Sequence, residues 1–469
     1  MNVASISLRN LRVRKLSSAL TAFSVALGTG LVAAIWLLLA QVEDRYKQSL
    51  AGYDAIVGPK QGSALQIVLS TVLNLDSAPG VVPLGVYREL REGALHKKYG
   101  VRYAIPQARG DSYGGFPVIG TTEEMFTQFA RGRDAAGRPR TLEFARGKAW
   151  KFAHEDLLAF AEGYVAKRND PDAASEHAHV HAPGEAAHDH AHDVLPAPWC
   201  KAVIGAEVAR TLGLDVGGVI VPVHGQDEPG AHVHEEAQTD VVGVLAATGT
   251  PIDRSIFVPL SLFFSLDDHD PLQVAPGGEP DAKATIDQLL LSAIVLDARH
   301  PLAANWLRRD FQVRSDAQVA WPHIEVAKLL ALVGNVADVL RIVAWLVIAV
   351  AAAGVLVALY NTMNERRREI AIMRALGARR GQILGIIVLE AAVVTALGAL
   401  LGVLLCHGAA AALGEAIAAR INVPVDPAAF AVEELWLILG VSLLGALAGL
   451  VPAIKGSTTE VAEHLGPIS

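Results

Sequence analysis

Apolar residues gather in four long runs, and everything else in the chain alternates over short distances. The first run, Leu16 to Ala40, holds nothing more polar than Ser, Thr and Gly. A hydrocarbon core of roughly 30 Å takes about 20 helical residues to cross, so this run is long enough to span. It is longer than the apolar part of a signal peptide, about 7–15 residues, and no small-residue cleavage site follows, so an uncleaved span is expected. From His323 to Tyr360 a helical period begins amphipathic (IEVAKLLALVGNVADVLRI) and becomes uniformly apolar after Arg341. That pattern predicts one helix that starts as a stalk and becomes the second span, with Asp338 and Arg341 needing water or a partner. The third run is about Ile383 to Gly408 and the fourth about Leu435 to Ala453.

Between the first two runs the apolar stretches are short. IVLSTVL (67–73), VIVPV (219–223), IFVPLSLFF (256–264) and LLLSAIVL (289–296) read as strands or buried helices of a folded domain. Residues 203–223 read as helix, Gly-bearing turn and strand, and 240–245 and 255–260 as further strands. The expected fold class is an α-helical membrane protein with four transmembrane helices and a large α+β extracytoplasmic domain between spans one and two. The implied division is a basic N-terminus (1–15), span one (16–41), the large domain (42–335), span two (336–362), a loop (363–382), span three (383–408), a second loop (409–434), span four (435–454) and a tail (455–469).

Charge orients that topology. Arg9, Arg12, Arg14 and Lys15 precede the first run with no acid among them. The loop after the second run carries Arg366, Arg367, Arg368, Arg374, Arg379 and Arg380 against Glu365 and Glu369. The loop before the fourth run has Glu415, Asp426, Glu433 and Glu434 against Arg420. By the positive-inside rule both termini and the basic loop are cytoplasmic, and the large domain lies on the far side. Within the basic loop Ile370, Ile372, Met373 and Leu376 make an apolar stripe at helical spacing, and Gly377 stands at a C-cap position. Such a face needs either the membrane surface or a partner protein.

The composition agrees: 52% hydrophobic and 19% charged is too apolar for an average soluble chain and too charged for spans alone. A formal net charge of -8 offers no reason to expect nucleic-acid binding. Cys200 lies in a polar stretch and Cys406 in an apolar one, so they are not read as a disulfide. No G-x-x-x-x-G-K-[ST] occurs, nor a serine-nucleophile elbow or zincin motif, so no ATP site and no catalytic residue are expected in this chain. Glu390, about two turns into the third run, is an intramembrane polar candidate, with a hydrogen bond to a neighbouring helix as the plainer role. The adjoining Cys406 and His407 are read as packing.

Histidines are the chain's distinctive chemistry. Residues 171–193 hold His177, His179, His181, His188, His190 and His192, and a second stretch holds His224, His232 and His234 beside Glu235 and Glu236. Alternate imidazoles of an extended segment bring several rings within reach of one Zn, Cu(II) or Ni(II) ion. The Ala, Pro and Gly between them build no core, so a solvated insertion with adventitious metal affinity is the competing account.

Taken together, the layout and motifs resemble the MacB/FtsX-like permeases of ABC transporters (type VII), as a variant with His-rich inserts. NERRREIAIMRALGARRGQILGIIVLEA (364–391) looks like their loop after the second span, SLRNLRVRKLSSALTAFSVALG (7–28) like their opening segment, and VPAIKGSTTEVAEHLGP (451–467) like their C-terminal tail with fewer arginines. GFPVIGTTEEMF (115–126) and AVIGAEVARTLGLDVGGVIVPV (202–223) are also similar. The resemblance implies a permease in the bacterial inner membrane that pairs as a homodimer and engages a separate cytoplasmic ABC ATPase, which supplies ATP hydrolysis. It implies that Glu365, Arg366, Arg367, Glu369, Ile370, Arg374, Leu376 and Gly377 form the coupling element, and that work is done on a periplasmic protein, a lipoprotein or another extracytoplasmic substrate. Three readings stay open: substrate handling linked to zinc or another divalent metal, a mechanotransmitting scaffold that regulates a periplasmic partner, and lipoprotein release.

Overall fold

The structure is a computed structural model and describes residues 7, 15–132, 139–170, 199–225, 233–234, 237–266, 271–272, 283–298, 303–365, 367–421 and 425–457. The chain divides into two compact units: Asp44–Leu329, and Met1–Glu43 together with Leu330–Ser469.

The second of these is helical. Among the described residues, four helices are long and apolar enough to cross a membrane: Lys15–Ser49, Pro322–Glu365, Arg380–Ile421 and Val432–Ser457. A shorter helix, Arg367–Ala375, lies between the second and third. The amphipathic start and apolar continuation expected from His323 to Tyr360 are one unbroken helix. Asp338 and Arg341 satisfy each other on it, with Nη1 donating to Oδ1 at 2.6 Å.

Small residues let these helices approach closely. A Cβ added to Gly402 would stand 2.5 Å from the Ala26 carbonyl oxygen, and one added to Gly398 would stand 2.6 Å from that of Ala22. Gly30 meets Gly402 from the other side, its added Cβ 3.0 Å from the Gly402 oxygen. In lipid there is no hydrophobic drive between helices, so close backbone contact at such positions supplies much of the cohesion. Above and below this contact Val25, Val32 and Leu37 pack with Ala344, Ile348, Ala399, Val403, Leu437 and Val441.

The Asp44–Leu329 unit is built on a mixed sheet. Its strands are β1 (Ala55–Gly58), β2 (Val82–Pro83), β3 (Val101–Tyr113), β4 (Phe116–Thr121), β5 (Phe144–Gly147), β6 (Lys201–Ile204), β7 (Val219–Ile220), β8 (Val223–His224), β9 (Thr239–Leu245), β10 (Ile256–Pro259), β11 (Leu290–Leu291), β12 (Ala293–Ala298) and β13 (Gln318–Ala320). In the main sheet the order is β13-β1-β12-β3-β4-β10-β6-β9-β5, with β7 on β9 and β8 on β3; β2 and β11 pair apart from it as a two-stranded sheet. β4 and β10 are parallel, as are β6 and β9; the other pairs are antiparallel. The inner face packs Val118, Ala202, Ile204, Val208, Val241, Val244, Ile256, Val258 and Leu262 into one core. Burying each such side chain is worth about 1.5–3 kcal/mol.

Residues 203–223 hold the expected helix, turn and strand, preceded by β6. The helix Ala206–Leu212 stops at Gly213, whose φ of +66° suits a residue without a Cβ. The apolar run at 67–73 resolves as a helix, Ala64–Thr71. Ser63 and Gln66 form a reciprocal capping box there: Gln66 N–H donates to Ser63 Oγ at 3.2 Å and Ser63 N–H to Gln66 Oε1 at 2.9 Å. The run at 256–264 divides at Pro259, which ends β10 and starts the helix Leu260–Phe264.

Candidate functional site

Two places gather the residues singled out by pattern, one in each unit. In the helical unit it is the Arg367–Ala375 helix. Its end is a Schellman turn: Ala378 N–H donates to Met373 O and Gly377 N–H to Arg374 O, both at 3.0 Å, and Gly377 has φ +96°. The next helix begins at once, with Arg379 N–H donating to Gln382 Oε1 at 2.9 Å. Backbone hydrogen bonds thus hold both sides of the turn.

The apolar stripe divides between two faces. Ile370 is buried and Met373 packs beside it against Val355 and Leu359 of the second long helix, Ile383, Ile387 and Ala391 of the third, and Ala453 of the fourth. Ile372 and Leu376, four apart and so on one helix face, point outward, Leu376 at 82% exposure. Arg374 is half-buried. Glu365 ends the second long helix, Arg367 opens the short one and Glu369 lies within it, while Arg366 falls outside the described residues. Glu390 is buried between Ile387 and Ala391, beside the cluster that anchors Ile370.

His407 also finds partners. Its Nδ1 lies 2.7 Å from Pro427 O and its Nε2 3.0 Å from a carboxylate oxygen of the fully buried Glu434, with Phe430 stacked on the ring. It ties the third long helix to the start of the fourth, which fits packing. Neighbouring Cys406 is buried in the cluster of all four helices. Glu434 was counted in the sequence only as a loop acid.

In the sheet unit the structure brings two of the predicted histidines onto a carboxylate that sequence reading missed. Asp111, His224 and His234 each direct a ligand-type atom into one spot, all within 4.8 Å of one another. Asp111 Oδ1 is 3.4 Å from His224 Nδ1 and 3.9 Å from His234 Nε2. The side chains of Asp111 and His234 are fully buried and that of His224 is half exposed. His177, His179, His181, His188, His190, His192 and His232 lie outside the described residues.

Local structure explains the meeting. β3 pairs with β4 through a bulge between Arg109 and Asp111, so one residue, Gly110, is extra. Beyond the bulge Asp111 pairs with His224 and Ser112 with Val223 in the β3–β8 ladder. Val233 bridges back to Val223, and His234 N–H donates to Pro222 O at 3.0 Å. Gly225 N–H donates to Gly110 O at 2.9 Å, and Ser112 Oγ donates to Gly225 O at 2.6 Å. None of these bonds uses the converging side-chain atoms. The one hint in the sequence was an Asp directly after a Gly within the strand.

On the other side of the bulge, Arg109 is half-buried, and its partners among the described residues are neutral. It donates to Ser70 O, Thr71 O, Asn74 Oδ1 and Gln107 Oε1 at 2.6–3.2 Å, and burial lowers its pKa to about 10. This clamp fastens the end of the Ala64–Thr71 helix to β3.

Comparison with known proteins places the helical unit. Residues 341–461 match the family model described as FtsX-like permease C-terminal. Over 117 residues, 25% of this chain, the sequence is 32% identical to the macrolide export ATP-binding/permease protein MacB of Nitrobacter winogradskyi, covering 17% of that protein. Over 238 residues, 48% of this chain, it is 29% identical to the pyoverdine export ATP-binding/permease protein PvdT of Pseudomonas putida, covering 33% of that protein. The chain therefore spans a third or less of the curated relatives it matches. The family match contains the Arg367–Ala375 helix and the two long helices that follow it.

Proposed function

We propose that this chain, whose residues 341–461 match the FtsX-like permease C-terminal family model, is the membrane permease subunit of an ABC transporter, driven through the Arg367–Ala375 helix by a cytoplasmic ATPase subunit. One observation carries the reading. The short helix sits between two helices of membrane length, is anchored inward by Ile370, and turns Ile372 and Leu376 outward. A partner that takes the outward face pushes on a helix whose inner face touches three long helices at once. Hydrolysis is assigned to an ATP-binding module outside these residues, since both relatives are named ATP-binding/permease proteins. In this reading the basic helix and both termini face the cytoplasm of a bacterial cell, the Asp44–Leu329 unit is extracytoplasmic, and the work is done there, on a substrate or partner of that unit. Export is the activity named for both relatives and gives the direction of work proposed.

The test reconstitutes the chain with its ATPase in liposomes and measures hydrolysis. Arg367→Glu with Arg374→Glu is expected to return hydrolysis to the level of the ATPase alone. Unchanged stimulation by the double variant overturns the coupling role. Orientation is checked separately with Leu376→Cys in a Cys200→Ser/Cys406→Ser background. An impermeant maleimide is expected to label it only when given access to the cytoplasmic side, and labelling of intact cells overturns the orientation.

A further inference from the structure

We propose that Asp111, His224 and His234 form a binding site for one divalent transition-metal ion of the zinc type, reached from solvent on the His224 side. The donor set is one carboxylate and two imidazoles. That set suits zinc and its neighbours, whereas calcium and magnesium take oxygen ligands. In a tetrahedral zinc site with bonds of ~2.0–2.2 Å, donor atoms stand about 3.3–3.5 Å apart. The separations from Asp111 Oδ1 to the two ring nitrogens, 3.4 and 3.9 Å, match this to within a small side-chain adjustment.

The composition of the cluster separates a cation site from an ion pair. A carboxylate and one imidazolium would neutralise each other. Here a second imidazole, wholly buried, aims its nitrogen at the same carboxylate oxygen without adding a second negative charge. The backbone is also fixed independently of these atoms, by the β3–β8 ladder, the Val223–Val233 bridge and the Gly225 and Ser112 hydrogen bonds. Among the described residues the site has three protein donors, and His224 is half exposed.

This inference does not rest on ATP coupling, and its test needs no ATPase. The full chain is purified in detergent with His177, His179, His181, His188, His190, His192 and His232 changed to Ala, which removes adventitious binding by the histidine-rich stretches. Zinc is titrated against a chromogenic chelator, and cobalt(II) is followed by its visible absorption. The expected result is one ion per chain, with the strong cobalt bands of a four-coordinate site. His224→Ala, at a half-exposed position, is expected to weaken zinc binding about 100-fold, as the loss of a direct ligand should cost at least what the loss of a supporting contact does. Asp111→Asn is expected to remove the cobalt bands, with circular dichroism confirming that the variant is folded. Absence of a bound ion in the parent overturns the proposal, and so does unchanged affinity in His224→Ala.

Discussion

The basic helix and the Asp–His cluster are assembled in opposite ways. The helix, its turn and both flanking long helices come from adjacent stretches of chain, and its anchor residue reaches neighbours by ordinary helical packing. The cluster takes Asp111 from near the end of the longest described strand and its histidines from a segment far along the chain. They meet only because a bulge and a two-residue strand align them. One arrangement depends on local sequence and survives wherever the helices pack; the other depends on register.

Perturbations that exploit this difference range from large to small. The largest effect is expected from Gly402→Leu, which drives a side chain into the Ala26 carbonyl and Gly30. Overpacking against side chains costs about 1–3 kcal/mol; here the obstacle is the backbone of a facing helix, which cannot rotate away, so the two helices must separate. Size-exclusion chromatography in detergent should show loss of the folded species. Next is Ile370→Ala. Removing a buried Ile costs about 2–5 kcal/mol, so a clear drop in melting temperature is expected. Leu376→Ala, on the exposed face, should change stability by no more than about 0.5 kcal/mol while lowering ATPase stimulation. Equal effects of the two on stability would erase the distinction between anchor and docking face. The smallest effect belongs to Asp316. Hydrogen bonds from Arg314, which also reaches Glu89, hold its carboxyl below the usual carboxylate range. A depressed folded value means that the stabilisation is complete above the unfolded value of about 3.9 and is lost as pH falls through the folded one. The pair is partly exposed, so the contribution is at most about 1 kcal/mol. Asp316→Asn should lower stability by up to that amount at neutral pH and converge with the parent in acid, which flattens the acid limb of the stability curve.

The same contrast decides what could be seen in the sequence. The four long helices were visible because a membrane-length apolar run has few other uses, and Gly377 was visible because its neighbours leave it one role. The split of the Ile370–Leu376 stripe was not. Helical spacing puts Ile370 and Met373 on one face and Ile372 and Leu376 on another, but only the packed neighbours decide which face turns inward. In the sheet unit, β9 and β10 were legible from β-branched runs. Strands of two or three residues, such as β2 and β13, are too short to leave a period. His224 and His234 stood out by composition. Asp111 did not, because a single carboxylate in a strand says nothing about what a distant strand will set beside it.

Gly110 makes the cluster a matter of phase. Side chains of a strand alternate between faces, so one additional residue inverts everything downstream of it. Removing Gly110 would return β3 to simple alternation and swing Asp111 to the opposite face, with composition, charge and histidine content nearly unchanged. The distinction between a strand with a metal-type donor set and one without it is a single backbone step, carried by a residue that contributes no side chain.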